Sequence, residues 1–174
     1  MSESLSRARK KIFEPALHII LFEPEIPANT GNIARLCAAA ELPLHLIHPL
    51  GFKTDDRHLK RAGLDYWSEV EVHEHIDFAA FSAHWNAAAK TEEGPAPILA
   101  FSARAATSYA AIDKSLIRRG SGLLFGPETR GLPQALCESF PGCRIPIRGR
   151  VRSLNLSTAV GIVSYHFLLQ LKAV

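Results

Sequence analysis

The sequence has few cysteines and no long uninterrupted apolar segment. Its three cysteines, Cys37, Cys137 and Cys143, are odd in number and show no C-x-x-C spacing, which argues against a disulfide framework and a zinc site. The most apolar stretch, 156–174, is too short and too often interrupted by polar residues to span a membrane. No signal-peptide core follows the basic N-terminus, so the sequence predicts a cytoplasmic protein with neither a membrane anchor nor a bound metal.

Two common nucleotide-binding signatures are also missing, because the sequence contains neither the G-x-G-x-x-G of dinucleotide sites nor a Walker loop. What the sequence offers is 174 residues, of which 47% are hydrophobic and 21% are charged, and this is enough for one globular core. A second domain of ordinary size does not fit. We therefore predict a basic, flexible extension over 1–16 and a single domain over 17–174.

Positive charge is concentrated in two zones, although the net charge is only +3. One zone lies near the N-terminus, and the other follows Glu138, beyond which the chain has no acidic side chain. Such zoning indicates an anionic partner or ligand, and a solvated arginine-rich loop is the alternative. The basic residues of the two zones are Arg7, Arg9, Lys10, Lys11, Arg144, Arg148, Arg150, Arg152 and Lys172.

Short apolar runs alternate with helix-like segments along the chain. The run 18–22 is typical of a buried parallel strand, and Ile33, Leu36, Cys37 and Ala40 have the spacing of one helix face. This alternation predicts an α/β fold in which helices flank a parallel sheet and ligands bind at the carboxyl ends of the strands. The predicted strands are 18–22, 44–48, 68–72, 98–101, 122–125 and 144–147, and the predicted helices begin near Asn29 and lie at 55–61, 78–85, 133–140 and 155–172.

Three segments place polar residues or glycine where a predicted strand ends or a helix begins. The first, N-T-G-N-x-x-R, offers Asn29 or Thr30 as a helix cap and Arg35 further along the same helix. The second, L-F-G-P-E-T-R-G-L, ends a strand at Gly126, where the missing Cβ would let a ligand approach the backbone. The third, S-L-N-L-S-x-A-V, surrounds a helix start with polar side chains. Taken singly, each segment also fits ordinary capping, a Gly-Pro turn or a solvated arginine.

Together, the three segments resemble the three motifs of the SPOUT superfamily of RNA methyltransferases, and the match extends over about 17–171. Two more segments, E-P-E-I-P at 23–27 and R-A-G-L-D-Y at 61–66, resemble the TrmL branch, whose members methylate the ribose 2′-oxygen of the tRNA wobble nucleotide, position 34. The resemblance implies a parallel sheet with a deep C-terminal trefoil knot, S-adenosylmethionine as cofactor and the anticodon loop of tRNA as substrate. It also implies a homodimer formed through the apolar C-terminal helix, so we expect Val163→Glu to give inactive monomers.

The resemblance also implies roles for individual residues. Arg35 matches an arginine proposed as a base in related enzymes. An arginine keeps its proton in proteins, however, so anchoring the target phosphate is the easier role, and both roles stay open. The residues expected to act in catalysis are Arg35, Glu128, Ser153, Asn155 and Tyr165. Those expected to bind the cofactor are Phe101, Gly126, Ile145, Ser153 and Leu154, and those expected to contact RNA are Lys60, Arg61, Arg130, Arg148, Arg150 and Arg152.

Two other functions remain open from the sequence. The first alternative is a SPOUT methyltransferase that acts on another tRNA position or on ribosomal RNA. The second is a non-catalytic RNA-binding module that has kept the fold, since a fold alone does not establish an activity. The basic extension over 1–16 departs from the compact members of the family, and its role is open as well.

Overall fold

The computed structural model describes residues 15–52, 64–88 and 96–174. Within these residues the chain forms strands, α-helices and short 3₁₀ turns. The strands are β1 (Leu17–Phe22), β2 (Leu44–Ile47), β3 (Val72–His75), β4 (Ile98–Phe101), β5 (Thr107–Ser108), β6 (Ser121–Phe125) and β7 (Gly142–Arg144). The α-helices are α1 (Pro27–Ala40), α2 (Phe78–Ala88), α3 (Gln134–Ser139) and α4 (Leu156–Gln170), and 3₁₀ helices cover Leu64–Glu69, Tyr109–Ala111 and Lys114–Leu116.

The strands form one seven-stranded sheet in the order β3-β2-β1-β6-β4-β7-β5. Every pairing in this sheet is parallel, which confirms the predicted parallel α/β architecture. Two late strands are interior, because β6 lies between β1 and β4 and β7 lies between β4 and β5. The C-terminal part of the chain therefore enters the sheet between strands formed earlier in the sequence, and the trefoil knot stays a prediction.

Side chains of each strand alternate between two apolar cores, one on each face of the sheet. Leu17, Ile19 and Leu21 of β1 belong to the core that includes α1 and α4. Ile20 and Phe22 of the same strand belong to the core that includes α2, with α3 packed against it. The sheet is thus covered by helices on both faces, as apolar parallel strands require.

Helix α4 is apolar on two opposite sides, as its sequence predicts. Val160, Val163, Phe167 and Leu168 are buried on the side that packs against the sheet and α1. The other side carries the exposed side chains of Ile162, Tyr165 and Leu169, which we call the outer stripe of α4. No helix in 15–52, 64–88 or 96–174 is long and apolar enough to cross a membrane.

Several predicted elements differ from the observed ones. Helix α1 begins at Pro27, with Ile26 as its N-cap and no side-chain cap, so the prediction that Asn29 or Thr30 caps it is wrong. Proline suits the first helical position because its fixed φ fits a helix and its missing N–H costs nothing there. The predicted strand 68–72 is largely a 3₁₀ helix, with β3 following at 72–75, and the last strand lies at 142–144 instead of 144–147.

The strict alternation of strand and helix is also interrupted. Between β4 and β6 the described chain contains β5 and two 3₁₀ helices instead of an α-helix. Three predicted features lie outside the described residues. They are the helix at 55–61, the contacts of Lys60 and Arg61, and almost all of the basic extension over 1–16.

Candidate active site

A cavity of about 660 Å³ lies at the carboxyl ends of β4, β6 and β7. The first residues of α1 and the segment before α4 complete its wall, so all three segments selected from the sequence contribute to one site. All five predicted cofactor-binding residues line the cavity. They are Phe101, Gly126, Ile145, Ser153 and Leu154.

Part of the cavity wall is formed by apolar side chains. Phe101 at the end of β4 and Phe125 at the end of β6 stack with ring centroids 4.8 Å apart and an interplanar angle of 15°. Ile145, Leu154 and Leu156 add aliphatic surface. A site with apolar walls, backbone groups and a few polar side chains is typical of small-molecule binding.

The carboxylate of Glu128 accepts three hydrogen bonds from the start of α1. The donors are the backbone N–H of Glu25 at 2.8 Å, the backbone N–H of Ile26 at 3.3 Å and the side-chain Nδ2 of Asn29 at 2.9 Å. These donors lie around the N-terminus of a helix, where the helix dipole also stabilises a negative charge. Glu128 therefore fixes the turn after β6 against α1.

Asn29 continues this hydrogen-bonded chain to α4. Its Oδ1 accepts a hydrogen bond of 2.8 Å from Nδ2 of Asn155, the N-cap of α4. Oδ1 of Asn155 in turn accepts from the backbone N–H groups of Ser157 at 2.9 Å and Thr158 at 3.3 Å, and from Oγ of Ser157 at 2.7 Å. One hydrogen-bonded chain thus connects β6, α1 and α4 beside the cavity, and we call Glu128, Asn29 and Asn155 the carboxamide chain.

Sequence reasoning missed the importance of Asn29, which is only 4% exposed and belongs to the carboxamide chain. The sequence predicts a capping role for Asn29, which its position as the third residue of α1 rules out. The signal was Pro27. Because proline favours the first position of a helix, it places Asn29 inside the first turn, where its side chain is available for other contacts.

Gly126 lines the cavity and is also required by the geometry of its own turn. A Cβ at this position would lie 2.3 Å from the backbone nitrogen of Leu132 and 2.5 Å from the carbonyl carbon of Gly131. The glycine is therefore needed because the turn folds back on itself, which also brings the N–H of Gly131 within 2.9 Å of the Pro127 oxygen. Close approach of a ligand is not required to explain it.

Arg130 is held by acidic side chains of the loop after β1. Its guanidinium pairs with Glu23, and its Nε lies 3.7 Å from Oε1 of Glu25. Thr129 donates from its backbone N–H and its hydroxyl to the carboxylate of Glu25, and the hydroxyl bond is the main cause that lowers the pKa of Glu25. The positive charge of Arg130, a predicted RNA contact, is therefore already balanced.

The structure does not bring all predicted residues to the cavity. Arg35 and Tyr165 are exposed on α1 and α4, and neither is among the described residues that line it. Arg148 and Arg150 are exposed in the loop after β7 but likewise lie outside the lining, whereas Arg152 belongs to it. Arg130 and Arg104 line the cavity as well, and Arg104 was not selected from the sequence.

Similarity to known proteins decides the family. A family model described as the SpoU rRNA Methylase family matches residues 16–165. The chain belongs to the SpoU methylase family. The resemblance to SPOUT methyltransferases inferred from three short segments is thereby confirmed.

Two curated relatives of this SpoU methylase have the same name. The tRNA (cytidine(34)-2'-O)-methyltransferase of Yersinia pestis is 44% identical over 158 residues, which cover 89% of this chain and 94% of the relative. The tRNA (cytidine(34)-2'-O)-methyltransferase of Escherichia coli strain K12 is 42% identical over the same number of residues, with the same shares of the two chains.

Solved structures share the fold of this SpoU methylase. One, described as giving structural insights into the 2-OH methylation of C/U34 on tRNA, has a TM-score of 0.81 and 47% identity, covering 91% of this chain and 97% of that chain. Another is an AdoMet-bound rRNA methyltransferase from Sinorhizobium meliloti, with a TM-score of 0.78 and 25% identity. The second similarity covers 91% of this chain but only 58% of the other.

Proposed function

We propose that the protein transfers the methyl group of S-adenosylmethionine to the ribose 2′-hydroxyl of the wobble nucleotide, position 34, of tRNA. The observation that carries this proposal is the identity of 42–44% to two enzymes of that activity over 94% of their length. The motif segments of the sequence lie in one cavity, as that activity requires.

The cavity fits the cofactor in size and chemistry. Its volume of about 660 Å³ falls within the range of small-molecule sites, roughly 300–1,000 Å³. The stacked rings of Phe101 and Phe125 and the side chains of Ile145 and Leu154 provide apolar walls, while Gly126 and Ser153 add backbone and hydroxyl groups. When bound, S-adenosylmethionine supplies the electrophilic methyl group.

The residues of the chain must orient the ribose and stabilise the charge that develops on its oxygen. Glu128 already accepts three hydrogen bonds, so we assign it the role of a positioning residue that holds α1. Asn155 has a similar role at the start of α4, whereas Ser153 is exposed at the cavity and is available to a substrate. For Arg35, anchoring a phosphate is favoured over proton abstraction because its guanidinium keeps its proton.

The RNA surface is expected next to the cavity, in the loop between β7 and α4. Arg148, Arg150 and Arg152 are exposed there, and basic side chains supply most of the sequence-independent affinity for RNA. An anticodon loop presents unstacked bases that a protein is able to read individually. These properties support tRNA as the substrate.

We also propose that the enzyme is a homodimer that pairs through the outer stripe of α4. Ile162, Tyr165 and Leu169 expose 38%, 43% and 64% of their surface in the single chain. Arg35 and Tyr165 lie outside the cavity of their own chain, as expected if a second subunit completes the site. Val163 was the wrong residue for testing this, because it is fully buried in the core of its own subunit.

Ribosomal RNA is the second candidate substrate. The family description and the AdoMet-bound structure from Sinorhizobium meliloti both name rRNA. That structure is only 25% identical to this chain, compared with 42–44% for the two tRNA enzymes, so tRNA is the better-supported substrate.

The test is to incubate the protein with labelled S-adenosylmethionine and separate pools of tRNA and ribosomal RNA, and then to map the methyl group. We expect a 2′-O-methyl group at position 34 of tRNA. Label at another tRNA position or in ribosomal RNA would overturn the substrate assignment. Tight RNA binding without any label would indicate a non-catalytic module.

A further inference from the structure

Two of the arginines that line the cavity have no ion-pair partner among the described residues. The charged residues among its described lining are Arg104, Glu128, Arg130 and Arg152. Glu128 is satisfied by three N–H donors, and Arg130 pairs with Glu23 and Glu25. In the part of the chain that the structure describes, neither Arg104 nor Arg152 has a carboxylate partner. Two guanidinium groups of the lining therefore remain without an ion-pair partner in that part of the chain.

The turn after β4 holds the backbone of Arg104 in a defined place. The N–H of Arg104 donates to Oγ of Ser102 at 3.2 Å, and the N–H of Ala105 donates to the Ser102 carbonyl at 3.1 Å. The N–H of Ser102 itself donates to the carbonyl of Cys143 in β7 at 2.9 Å. Because this turn is tied to the sheet, the exposed side chain of Arg104 extends from a fixed point on the cavity wall.

We propose that Arg104, together with Arg152, binds a backbone phosphate of the RNA substrate beside the target nucleotide. This rests on the proposed function. S-adenosylmethionine carries a sulfonium, an ammonium and one carboxylate, so it adds net positive charge beside two guanidinium groups that lack an ion-pair partner among the described residues. A phosphodiester supplies a negative charge to pair with them, and a guanidinium is well suited to bind it through two parallel hydrogen bonds.

Arg119 provides a matched control. It is exposed and lies just before β6, at the amino-terminal edge of the parallel sheet and thus at the edge opposite the cavity. Arg119→Gln removes the same charge as Arg104→Gln without touching the cavity. Arg104→Lys keeps the charge but loses the two-pronged geometry.

The experiment measures the affinity of the full chain for an unmodified tRNA transcript at several salt concentrations, and its affinity for S-adenosylmethionine by calorimetry without RNA. For Arg104→Gln we expect the tRNA Kd to rise about tenfold at low salt, as the loss of one charge-assisted contact predicts. The negative slope of the logarithm of the tRNA association constant against the logarithm of the salt concentration should become shallower by about 0.7, the value for one phosphate of a single strand. Cofactor affinity should stay within about twofold of wild type, and Arg104→Lys should recover most of the tRNA affinity.

Two results would overturn the proposal. An equal effect of Arg119→Gln would mean that only total charge matters. Weakened cofactor binding with unchanged tRNA binding would assign Arg104 to the cofactor carboxylate instead. If the wild-type protein bound tRNA but methylated none of it, the proposed function would fail, whereas a specific effect of Arg104→Gln on tRNA affinity would still support the phosphate contact.

Discussion

The imidazoles of His45 on β2 and His75 on β3 share a hydrogen bond, with Nδ1 of His45 lying 3.0 Å from Nε2 of His75. The other nitrogen of His45, Nε2, lies 3.0 Å from Nδ1 of His18 on β1. The three rings thus form a chain across neighbouring strands, and His45 is only 1% exposed. Each N···N contact holds one proton, so the chain accommodates one added proton on an outer nitrogen, and a second would break a contact.

The histidine chain predicts a protein that loses stability in mild acid. Burial is the main cause that lowers the pKa of His18 to about 4 and that of His45 to about 2, and it also lowers the pKa of His75. Neighbouring His73 and His84 lower the pKa values further, whereas Glu71 raises that of His18. Below about pH 6.5 the unfolded chain binds protons that the folded chain does not, so stability is complete above that pH and falls as the pH drops.

Urea unfolding between pH 8 and pH 5 checks this expectation. Each proton bound only by the unfolded state contributes a slope of about 1.4 kcal/mol per pH unit, and we expect a slope of at least two protons near pH 5.5. His18→Gln should flatten the slope by about one proton. A free energy of unfolding that does not vary over this range would contradict the prediction.

Asn29→Asp should disable the enzyme while largely keeping the fold. The new carboxylate still accepts from Asn155, but it loses the donor to Glu128 and places two negative charges about 2.9 Å apart. We expect kcat to fall about 100-fold, because small displacements of catalytic groups reduce the rate by about that factor. The free energy of unfolding should fall by about 1–3 kcal/mol. Steady-state kinetics and thermal melting measure both.

Asn32→Asp is the control, because Asn32 lies on the same helix and is exposed. It introduces the same charge near the same helix terminus without touching the carboxamide chain. Equal losses of kcat in the two variants would show that the hydrogen bonds of Asn29 are unimportant.

Gly126→Ala should collapse the turn after β6. The added methyl group would meet backbone atoms of Gly131 and Leu132 that have no flexible alternative. We expect a loss of about 1–3 kcal/mol or more in stability and an almost complete loss of cofactor binding, measured by melting and calorimetry. Gly149→Ala, in the neighbouring loop with no heavy atom within 4 Å of the added Cβ, should change stability by less than about 0.5 kcal/mol.

Leu169→Glu should dissociate the proposed dimer, because it places a charge in the outer stripe of α4, where Leu169 is 64% exposed. Analytical ultracentrifugation should show monomers, and methyl transfer should be lost. Ile76→Glu, at a position 81% exposed on the turn after β3, should remain dimeric and active. A dimeric Leu169→Glu protein, or an active monomer, would refute this interface.

Local sequence was sufficient to predict where the cavity lies but not the order of the strands that form it. Phe101 ends β4 and Gly126 follows β6, both apolar strands, and parallel strands bring their carboxyl ends to one edge, so the meeting of these two residues in one site was predictable. The insertion of β6 between β1 and β4 was not, because it depends on pairing between segments about 100 residues apart that no local pattern encodes.

The ion pairs of Arg130 and the contacts between the histidines were not predictable from local sequence either. Arg130 reads as an exposed cation in the sequence, and only the fold brings Glu23 and Glu25 to it across a separation of more than 100 residues. The histidines lie on separate strands with no motif spacing, so only the register of β1, β2 and β3 brings them together. Asn29 was accessible in principle through Pro27, since the first helical position follows from the chemistry of proline.

The carboxamide chain also has a consequence for the order in which the protein matures during synthesis. Asn155 and Asn29 are 126 residues apart, and Asn155 follows β7 in the sequence, so it leaves the ribosome after the described strands. The strands can pair earlier, but the cavity wall before α4 cannot be in place until Asn155 has left the ribosome. A nascent chain that ends at β7 is therefore folded in part and still lacks the wall segment that closes the cavity.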